Sequence, residues 1–220
     1  MKQKHDLSQS NRAGSLHLLG GNLALDFANT ESGRSSPQHL NHIQKAMDVV
    51  TWARHAGVID EKPAELARAT LLDSDSPLLS QAVALRQAIY EVNVALVQGR
   101  CPEVEPTNVL AAIHARTLQS ANLTPRDGSF AWTWAKSEKL EDAILGPIAA
   151  AAIDVLIHVD HARIKQCQGL HCGWLFHDTS KNNSRRWCDM SVCGNRSKIK
   201  ALRKRRQANL EDVGKPGQGP

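Results

Sequence analysis

Four cysteines in the last quarter of the chain restrict its possible folds more than any other feature. Cys167, Cys172, Cys188 and Cys193 follow the spacing C-x4-C-x15-C-x4-C. A glycine follows the second cysteine of each pair, so the backbone can turn tightly there and direct amide groups at a thiolate sulfur. Two such turns bring four sulfurs into a tetrahedron, the geometry of a closed structural Zn2+ site. The spacing therefore predicts one structural zinc ion held by these four residues.

Other uses of the thiols stay open from the sequence. Residues 1–15 are polar and lack the apolar segment of a secretory signal, so we expect a cytoplasmic protein, in which disulfides are uncommon. His171 or His177 could replace one cysteine as a ligand. A catalytic zinc needs an open coordination position, which four thiolates do not leave. Cys101 is isolated in a predicted loop and is interpreted as an incidental thiol.

The charge is distributed unevenly along the chain. Residues 1–162 carry 14 Lys and Arg against 18 Asp and Glu, whereas residues 163–220 carry 13 against 4. Hydrophobic residues make up 41% of the sequence, as in an ordinary globular protein, and no apolar run is long enough to span a membrane. A mildly acidic body followed by a strongly basic segment indicates a separate module that binds a polyanion.

Hydrophobic periodicity predicts a mainly α-helical body over residues 16–162. The motif GNLALDFANT fits either a strand or a short helix capped by Asn22, and we favour the helix. Alternating aromatic residues after a Pro-Arg-Asp-Gly-Ser turn predict one β-hairpin around residues 123–134. Five further helices are predicted at 40–56, 63–72, 77–98, 107–120 and 137–162, the last capped by Ser137 and bent at Gly146-Pro147.

The segment 163–208 predicts a small zinc finger that ends in a basic helix. Trp174 and Phe176 alternate before a turn-rich loop, which indicates a hairpin between the two cysteine pairs. The order of knuckle, hairpin, second knuckle and helix is that of a treble-clef finger. Cys193 would then anchor the basic helix to the metal, because a helix start favours a thiolate. Residues 1–15 are expected to form a flexible leader, and residues 209–220 a disordered tail.

Two motifs resemble known families. The segment WLFHDTSKNNSRRWCDMSVCGNRSK resembles the CGNR zinc finger, named for the tetrapeptide found here at residues 193–196. The upstream GNLALDFANT is similar to the opening motif of the ABATE domain, which accompanies that finger in stress-induced transcription regulators of bacteria. The resemblance implies zinc bound by the four cysteines, DNA binding by the finger and a regulatory role for the body.

The basic helix carries the expected nucleic-acid contacts. Residues 195–207 contain seven Lys and Arg and no acidic residue. Ile199 and Leu202 are expected to pack on the finger, which leaves a basic face free for DNA. The predicted DNA-binding residues are Arg185, Arg186, Arg196, Lys200, Arg203 and Lys204.

Polar residues in the ABATE-like motif admit two interpretations. Asp26 and Asn29 stand among apolar neighbours, so they could contact a small-molecule effector in a pocket. They could equally cap or cross-link helices, because buried polar groups must be paired in either case. Trp52, Trp132 and Trp134 are interpreted as core residues rather than an aromatic cage.

The sequence favours a DNA-binding transcription regulator that is not an enzyme. An RNA-binding or protein-docking finger is the main alternative. A treble-clef nuclease built on His177, Asp178 and Asn182 is the least favoured, because the following helix offers no further metal ligands. One short helix reads few base pairs, which suggests a homodimer.

Overall fold

The computed structural model describes residues 12–34, 36–70 and 77–213. Residues 1–11 of the predicted leader and residues 214–220 of the predicted tail lie outside these ranges. A short 3-10 helix, Ala13–Ser15, packs against the body, and Ala13 is buried in its core. At the other end the basic helix continues to Val213, past the tail boundary expected at 209.

The body is mainly α-helical, as predicted. The helices within the described ranges are α1 (Leu23–Ala28), α2 (Ala46–His55), α3 (Glu61–Thr70), α4 (Leu78–Val97), α5 (Val104–Leu118), α6 (Leu140–His158) and α7 (Asn195–Val213). The short α1 resolves the ambiguity of its motif, because the Asn22 side chain accepts a hydrogen bond from the amide of Ala24 at 2.8 Å and caps the helix. Pro147 lies inside α6, while Ser137 precedes that helix instead of capping it.

The described strands form three antiparallel pairs. They join β1 (Glu31–Ser32) to β2 (Leu40–Asn41), β3 (Asn122–Arg126) to β4 (Ser129–Thr133), and β5 (Ile164–Gln166) to β6 (Leu175–His177). The pair β3 and β4 is the hairpin that the alternating aromatic residues predict. The pair β5 and β6 brackets the first two cysteines.

The prediction of a helix from residue 40 is wrong at its start. Asn41 instead pairs with Glu31 across the β1–β2 ladder, and its side chain accepts a hydrogen bond from Arg86 at 2.8 Å. Arg86 is almost fully buried and also forms an ion pair with Glu31 at 3.1 Å. The helix begins at Ala46, where the Asp48 carboxylate accepts a hydrogen bond from the amide of Lys45. A tertiary ion pair therefore overrides the helical periodicity over residues 40–45.

The tryptophans divide between core and surface. Trp52 is fully buried against Phe27, and Trp134 is buried with its indole N–H donated to the carbonyl of Thr117 at 2.7 Å. The Trp134 ring lies directly against Gly146, where any side chain would collide with it. Trp132 is 49% exposed, so its assignment to the core is wrong: it lies on β4, which ends at Thr133, one residue before the buried Trp134.

One apolar core extends from the body into the finger. Its centre is α6, whose buried residues pack against α1, α4 and α5. Ile164 of β5 and Leu175 of β6 belong to the same buried cluster. Phe176, the next residue along β6, packs instead with the cysteines. The hairpin that carries the first cysteine pair is therefore anchored on the body by one face and on the candidate metal centre by the other.

Candidate metal centre and basic helix

The four predicted cysteines come together at one point. All four sulfur atoms lie within 4.8 Å of one another, and Cys188 Sγ is 3.7 Å from the sulfurs of both Cys172 and Cys193. A tetrahedral zinc ion with Zn–S bonds of about 2.3 Å requires sulfurs about 3.8 Å apart. The donor set and spacing therefore fit one Zn2+ ion held by four thiolates. Cys101 is exposed and takes no part.

The first cysteine pair is shaped by the β5–β6 hairpin. The amide of Cys167 donates to the carbonyl of Trp174 at 2.7 Å, which extends the ladder to the metal site. Gly169 then directs its amide at Cys167 Sγ at 3.4 Å. A side chain on Gly169 would come within 2.9 Å of Cys193 Sγ, so this position must be glycine. Gly173 has φ near +70° and turns the chain back into β6, as the glycine after Cys172 predicts.

The second cysteine pair leads into the basic helix. The amide of Cys188 donates to Cys167 Sγ at 3.3 Å. Asp189 then caps a π-helical turn, Met190–Gly194, by accepting hydrogen bonds from the amides of Ser191 and Val192. Cys193 lies in that turn immediately before α7, and Ser197 donates its hydroxyl to the Cys193 carbonyl. The last ligand is thus tied to the helix start, as predicted.

Four thiols at this distance need a cation to be ionised together. Hydrogen bonds from the thiols of Cys172 and Cys188 lower the pKa of Cys167, whereas the same contacts raise the pKa of both partners. Burial raises the pKa of Cys193. The proximity and burial of the four thiols therefore oppose their ionisation together. A divalent ion supplies the charge that lets the remaining thiols ionise.

The histidines are not part of the sulfur cluster. Among the described residues, the group assembled around these sulfurs consists of the four cysteines alone. His171 takes a left-handed backbone conformation beside Cys172, with φ of 61°. His177 is the last residue of β6, and its amide donates to the carbonyl of Gly20 in the body. The substitution of a histidine for a cysteine ligand is therefore not needed to complete the site.

Asp178 organises the loop between the two cysteine pairs. Its fully buried carboxylate accepts hydrogen bonds from Lys165 Nζ at 2.8 Å, from the amide of Arg185 at 2.8 Å and from the amide of Ser180 at 2.9 Å. Burial alone would raise its pKa, but the Lys165 and Ser180 hydrogen bonds outweigh burial and hold the pKa well below its usual range. The sequence shows Asp178 only as a turn former or a remote nuclease candidate, and its lysine partner lies 13 residues away.

The predicted DNA-binding residues fall into two groups. Arg185 is engaged within the finger: its guanidinium stacks over Phe176 at 4.4 Å and donates to the carbonyls of Trp187 and Cys188. Arg186 is exposed and donates to Gln168 at 2.8 Å. The other four, Arg196, Lys200, Arg203 and Lys204, are exposed on α7.

The apolar residues of α7 do not pack on the finger. Ile199 and Leu202 are 50% and 58% exposed, so the expectation that they anchor the helix is wrong. The first turn is tied to the finger through the Ser197 hydroxyl and the preceding π-helical turn. From residue 198 to residue 207 every side chain is exposed. The basic helix therefore projects from the metal centre.

Asp26 and Asn29 have partners inside the protein. The Asp26 carboxylate accepts a hydrogen bond from the amide of Gly20 at 2.7 Å. This bond lowers the pKa of Asp26, but burial has the larger effect and raises the pKa to about 6. Asn29 is buried and bonds to the backbone of Leu175 in the finger through both atoms of its amide. Neither side chain lines the cavity between residues 12–42 and the finger or the cavity beside Trp132 and Trp134. A ligand pocket at these residues stays a prediction.

Comparison with known families accounts for most of the chain. Residues 21–158 match the ABATE family, described as "Putative stress-induced transcription regulator". Residues 163–206 match the CGNR zinc finger. Neither is a family of enzymes. No curated protein matches the chain as a relative. Across the described ranges, the helices are too short or too polar to cross a bilayer.

Proposed function

This chain belongs to the ABATE family, and from that membership and the form of its zinc finger we propose that it regulates transcription by binding duplex DNA through α7. The proposed location is the cytoplasm, where thiols stay reduced and available to zinc. The body, in this proposal, controls the finger and has no enzymatic activity.

The observation that carries this proposal is the projection of α7 from the metal centre. Residues 195–207 hold seven basic and no acidic side chains, and from residue 198 onwards all of them are exposed. An α-helix fits the major groove of B-DNA, and lysine or arginine supplies most of the phosphate contacts. Because the side chains of residues 198–207 are all exposed, this part of the helix is free to enter a groove.

The proposed contacts lie on one side of α7. Arg196, Lys200, Arg203 and Lys204 are separated by four, seven and eight residues, so they share a face. We assign base reading to Arg196 near the anchored end and phosphate contacts to the two lysines. Arg186 would extend the surface across the finger. Arg185 would support the finger, since its guanidinium is already bound to two carbonyls.

A comparison of nucleic-acid partners tests the proposal. Zinc-loaded full-length protein should shift duplex DNA in a gel more strongly than structured RNA or single strands of equal length. The double variant Arg203→Glu/Lys204→Glu should lose most of that affinity. The matched control, Lys136→Glu/Lys139→Glu, makes the same charge change at exposed positions of the body and should bind like the wild type. Stronger binding to RNA, or no nucleic-acid binding with a captured protein partner, would favour the alternative function.

A nuclease is not proposed for this finger. Asp178, its best candidate for a metal ligand, is fully buried and bound to Lys165. The single proposed metal is structural and is enclosed by four cysteines. A hydrolytic site would need a second ion with an open position.

We further propose that the body responds to a small-molecule effector and that the protein acts as a homodimer. The family description supports a stress response for the body. Two copies of α7 would read two half-sites, as dimeric regulators do. Sedimentation of the zinc-loaded protein with and without duplex DNA tests the dimer, and a monomer in both conditions would contradict it.

A further inference from the structure

Cys172 is the most accessible of the four clustered cysteines. It is half-buried, whereas Cys167, Cys188 and Cys193 are only 3–7% exposed. The thiolate is the reactive form of a cysteine, and its reaction with an oxidant depends on access as well as on charge. We propose that Cys172 is the site at which an uncharged, apolar hydroperoxide oxidises the finger, and that Cys188 is the thiol that converts the product into a disulfide.

A cleft between the finger and the body leads to Cys172. Its volume is about 610 Å3. Sites for small molecules typically enclose ~300–1,000 Å3. The walls come from the segments 12–19 and 37–42 of the body and from the segments 170–174 and 188–196 of the finger. A small reactant can therefore reach Cys172 while the protein stays folded.

The lining of the cleft suits an uncharged, apolar reactant. Its hydrophobic surface comes from Leu16, Leu40, Leu170, Trp174 and Val192. Its charges have both signs, because Arg12 and Arg196 share the lining with Asp189 and with three of the proposed zinc-binding thiolates. The lining therefore gives no advantage to an ion of either sign. Burial of apolar atoms is the interaction that this cleft offers to a reactant.

Cys188 provides the second sulfur that a disulfide needs. Its Sγ lies 3.7 Å from the Sγ of Cys172. Cysteines that respond to oxidants are typically accessible and adjacent to a second, resolving cysteine. Cys167 is the poorer partner, because its sulfur accepts hydrogen bonds from the amides of Gly169 at 3.4 Å and Cys188 at 3.3 Å. Such bonds stabilise a thiolate and make it a weaker nucleophile.

The reaction balances with the hydroperoxide as the oxidant. The Cys172 thiolate attacks the terminal oxygen of the hydroperoxide, so an S–O bond forms, the O–O bond breaks and an alkoxide leaves. The alkoxide takes a proton from water and becomes an alcohol. The Cys188 thiolate then attacks the sulfur of the Cys172 sulfenic acid, so an S–S bond forms and hydroxide leaves. Two thiolates thereby lose two electrons, and the hydroperoxide gains them.

The disulfide removes two of the four proposed zinc ligands. The finger should therefore release its zinc, and the turn that carries Cys193 should lose its attachment to the metal directly before α7. Loss of DNA binding follows only if α7 binds DNA, so this consequence rests on the proposed function. The oxidation of Cys172 does not depend on it.

Differential alkylation with mass spectrometry tests the site on zinc-loaded full-length protein. The probes are cumene hydroperoxide and hydrogen peroxide, and the exposed Cys101 is an internal reference in the same chain. The ratio of Cys172 oxidation to Cys101 oxidation should be about tenfold higher with cumene hydroperoxide, because only this oxidant has apolar surface to bury in the cleft. Peptide mapping should find a disulfide between Cys172 and Cys188, together with loss of zinc. Equal ratios for the two oxidants, or another cluster cysteine oxidised first, would overturn the proposal.

Two lining variants show whether the cleft guides the oxidant. Leu170→Ser/Val192→Ser removes apolar lining at half-exposed positions, so it should slow the reaction with cumene hydroperoxide by about tenfold and that with hydrogen peroxide by less than about twofold. The matched control, Val104→Ser/Ile157→Ser, makes the same kind of change at exposed positions outside this lining. Zinc content is measured first, so that only loaded proteins are compared. Wild-type rates in the loaded lining variant would overturn the role of the cleft, and the comparison of oxidants on the wild type does not depend on this variant.

Gel shifts before and after oxidation separate the site from the proposed function. Oxidised protein should lose most of its affinity for duplex DNA, and a dithiol reductant with added zinc should restore that affinity. A disulfide between Cys172 and Cys188 in a protein that binds no DNA in either state would support the oxidation site and remove the proposed function. Unchanged DNA binding by the fully oxidised protein would overturn the control of DNA binding by oxidation.

Discussion

Asn29 pairs with the backbone of Leu175 through both ends of its side-chain amide. Its Nδ2 donates to the Leu175 carbonyl and its Oδ1 accepts from the Leu175 amide, each at 2.8 Å. The residues are 146 positions apart, and both are buried. The Asn29 side chain thereby pairs with the backbone of β6 as a neighbouring strand would. The body holds the finger by this contact and by the apolar core that they share.

The first prediction is that Asn29→Ala loosens the finger from the body. The variant leaves the N–H and C=O of Leu175 buried without partners, which should cost ~2–4 kcal/mol of unfolding free energy. Urea denaturation measures the loss, and hydrogen exchange at the Leu175 amide shows where it occurs. Asn182→Ala, at an exposed asparagine of the finger loop, is the matched control. Wild-type stability with a still protected Leu175 amide would contradict the role of this pair.

The parts of the molecule that the sequence predicts are those specified locally. The zinc ligands follow from a spacing, α1 from a capping asparagine two residues before the amide it binds, and the β3–β4 hairpin from a turn motif. Each depends on residues close together in the chain. The same holds for Gly173, whose left-handed conformation follows from its place after Cys172.

The parts that the sequence misses depend on distant partners. The roles of Asn29 and Asp178 appear only when Leu175 and Lys165 are brought to them by the fold. A glycine two residues after the first cysteine is only a weak sequence signal. The need for glycine at position 169 comes from the sulfur of Cys193, which the fold places against it. Helical spacing of Ile199 and Leu202 suggested packing, yet the helix extends beyond the surface of the finger. Periodicity identifies an apolar stripe without showing whether anything covers it.

The second prediction is that zinc holds the knuckles and α7 while the body keeps its helices without it. Structural zinc contributes ~10–16 kcal/mol of apparent binding energy in small fingers. Elemental analysis should find one zinc per chain, and Cys172→Ser or Cys188→Ser should lose it. Chelation should remove the helical circular dichroism of α7 but leave most of the signal of the body, which has its own apolar core. Cys101→Ser is the control, since its thiol is exposed and remote from the cluster, and full zinc retention in both ligand variants would exclude the site.

The third prediction concerns Asp178 and acid stability. The carboxylate has a pKa below its usual value of 3.8, so its ionised form stabilises the folded finger. That contribution is complete above about pH 5 and is lost as the pH falls through the lowered pKa. Asp178→Asn should lose ~2–4 kcal/mol at pH 7, because Lys165 is left without its ion pair. The variant should also show a flatter dependence of stability on pH below 4, and an acid-unfolding curve identical to the wild type would contradict this role.

The fourth prediction concerns Asp26. Its ionised form destabilises the folded state, whereas the ionised form of Asp178 stabilises it. Burial raises the pKa of this carboxyl from 3.8 to about 6, so the folded state favours its protonated form. Stability should therefore fall as the pH rises through this interval, and the penalty should be complete above pH 7. Asp26→Asn keeps an oxygen to accept the amide of Gly20 and removes the buried charge. Denaturation at pH 8 should show a gain of ~2–3 kcal/mol that disappears near pH 4. A loss at pH 8 would show instead that the charge itself is required, for example by a ligand.

The fifth prediction is that DNA binding by α7 depends steeply on salt. If Arg186 and the four basic residues on one face of α7 neutralise about five phosphates, the slope of log K against log salt should be near −4.5. Raising the salt fourfold should then weaken binding by a few hundredfold.

Single variants of α7 separate the recognition of DNA sequence from the electrostatic attraction to phosphates. Lys204→Ala removes one exposed charge distant from the metal centre, so it should weaken all DNA sequences alike and flatten the salt slope by about one unit. Arg196→Ala, next to Cys193, should instead relax the preference among sequences by ~1–3 kcal/mol at the base it reads. Competition binding on a randomised duplex pool measures both effects. If binding did not depend on salt, or if the two variants had the same effect on every sequence, the basic run would be a solvated surface and the finger would serve another partner.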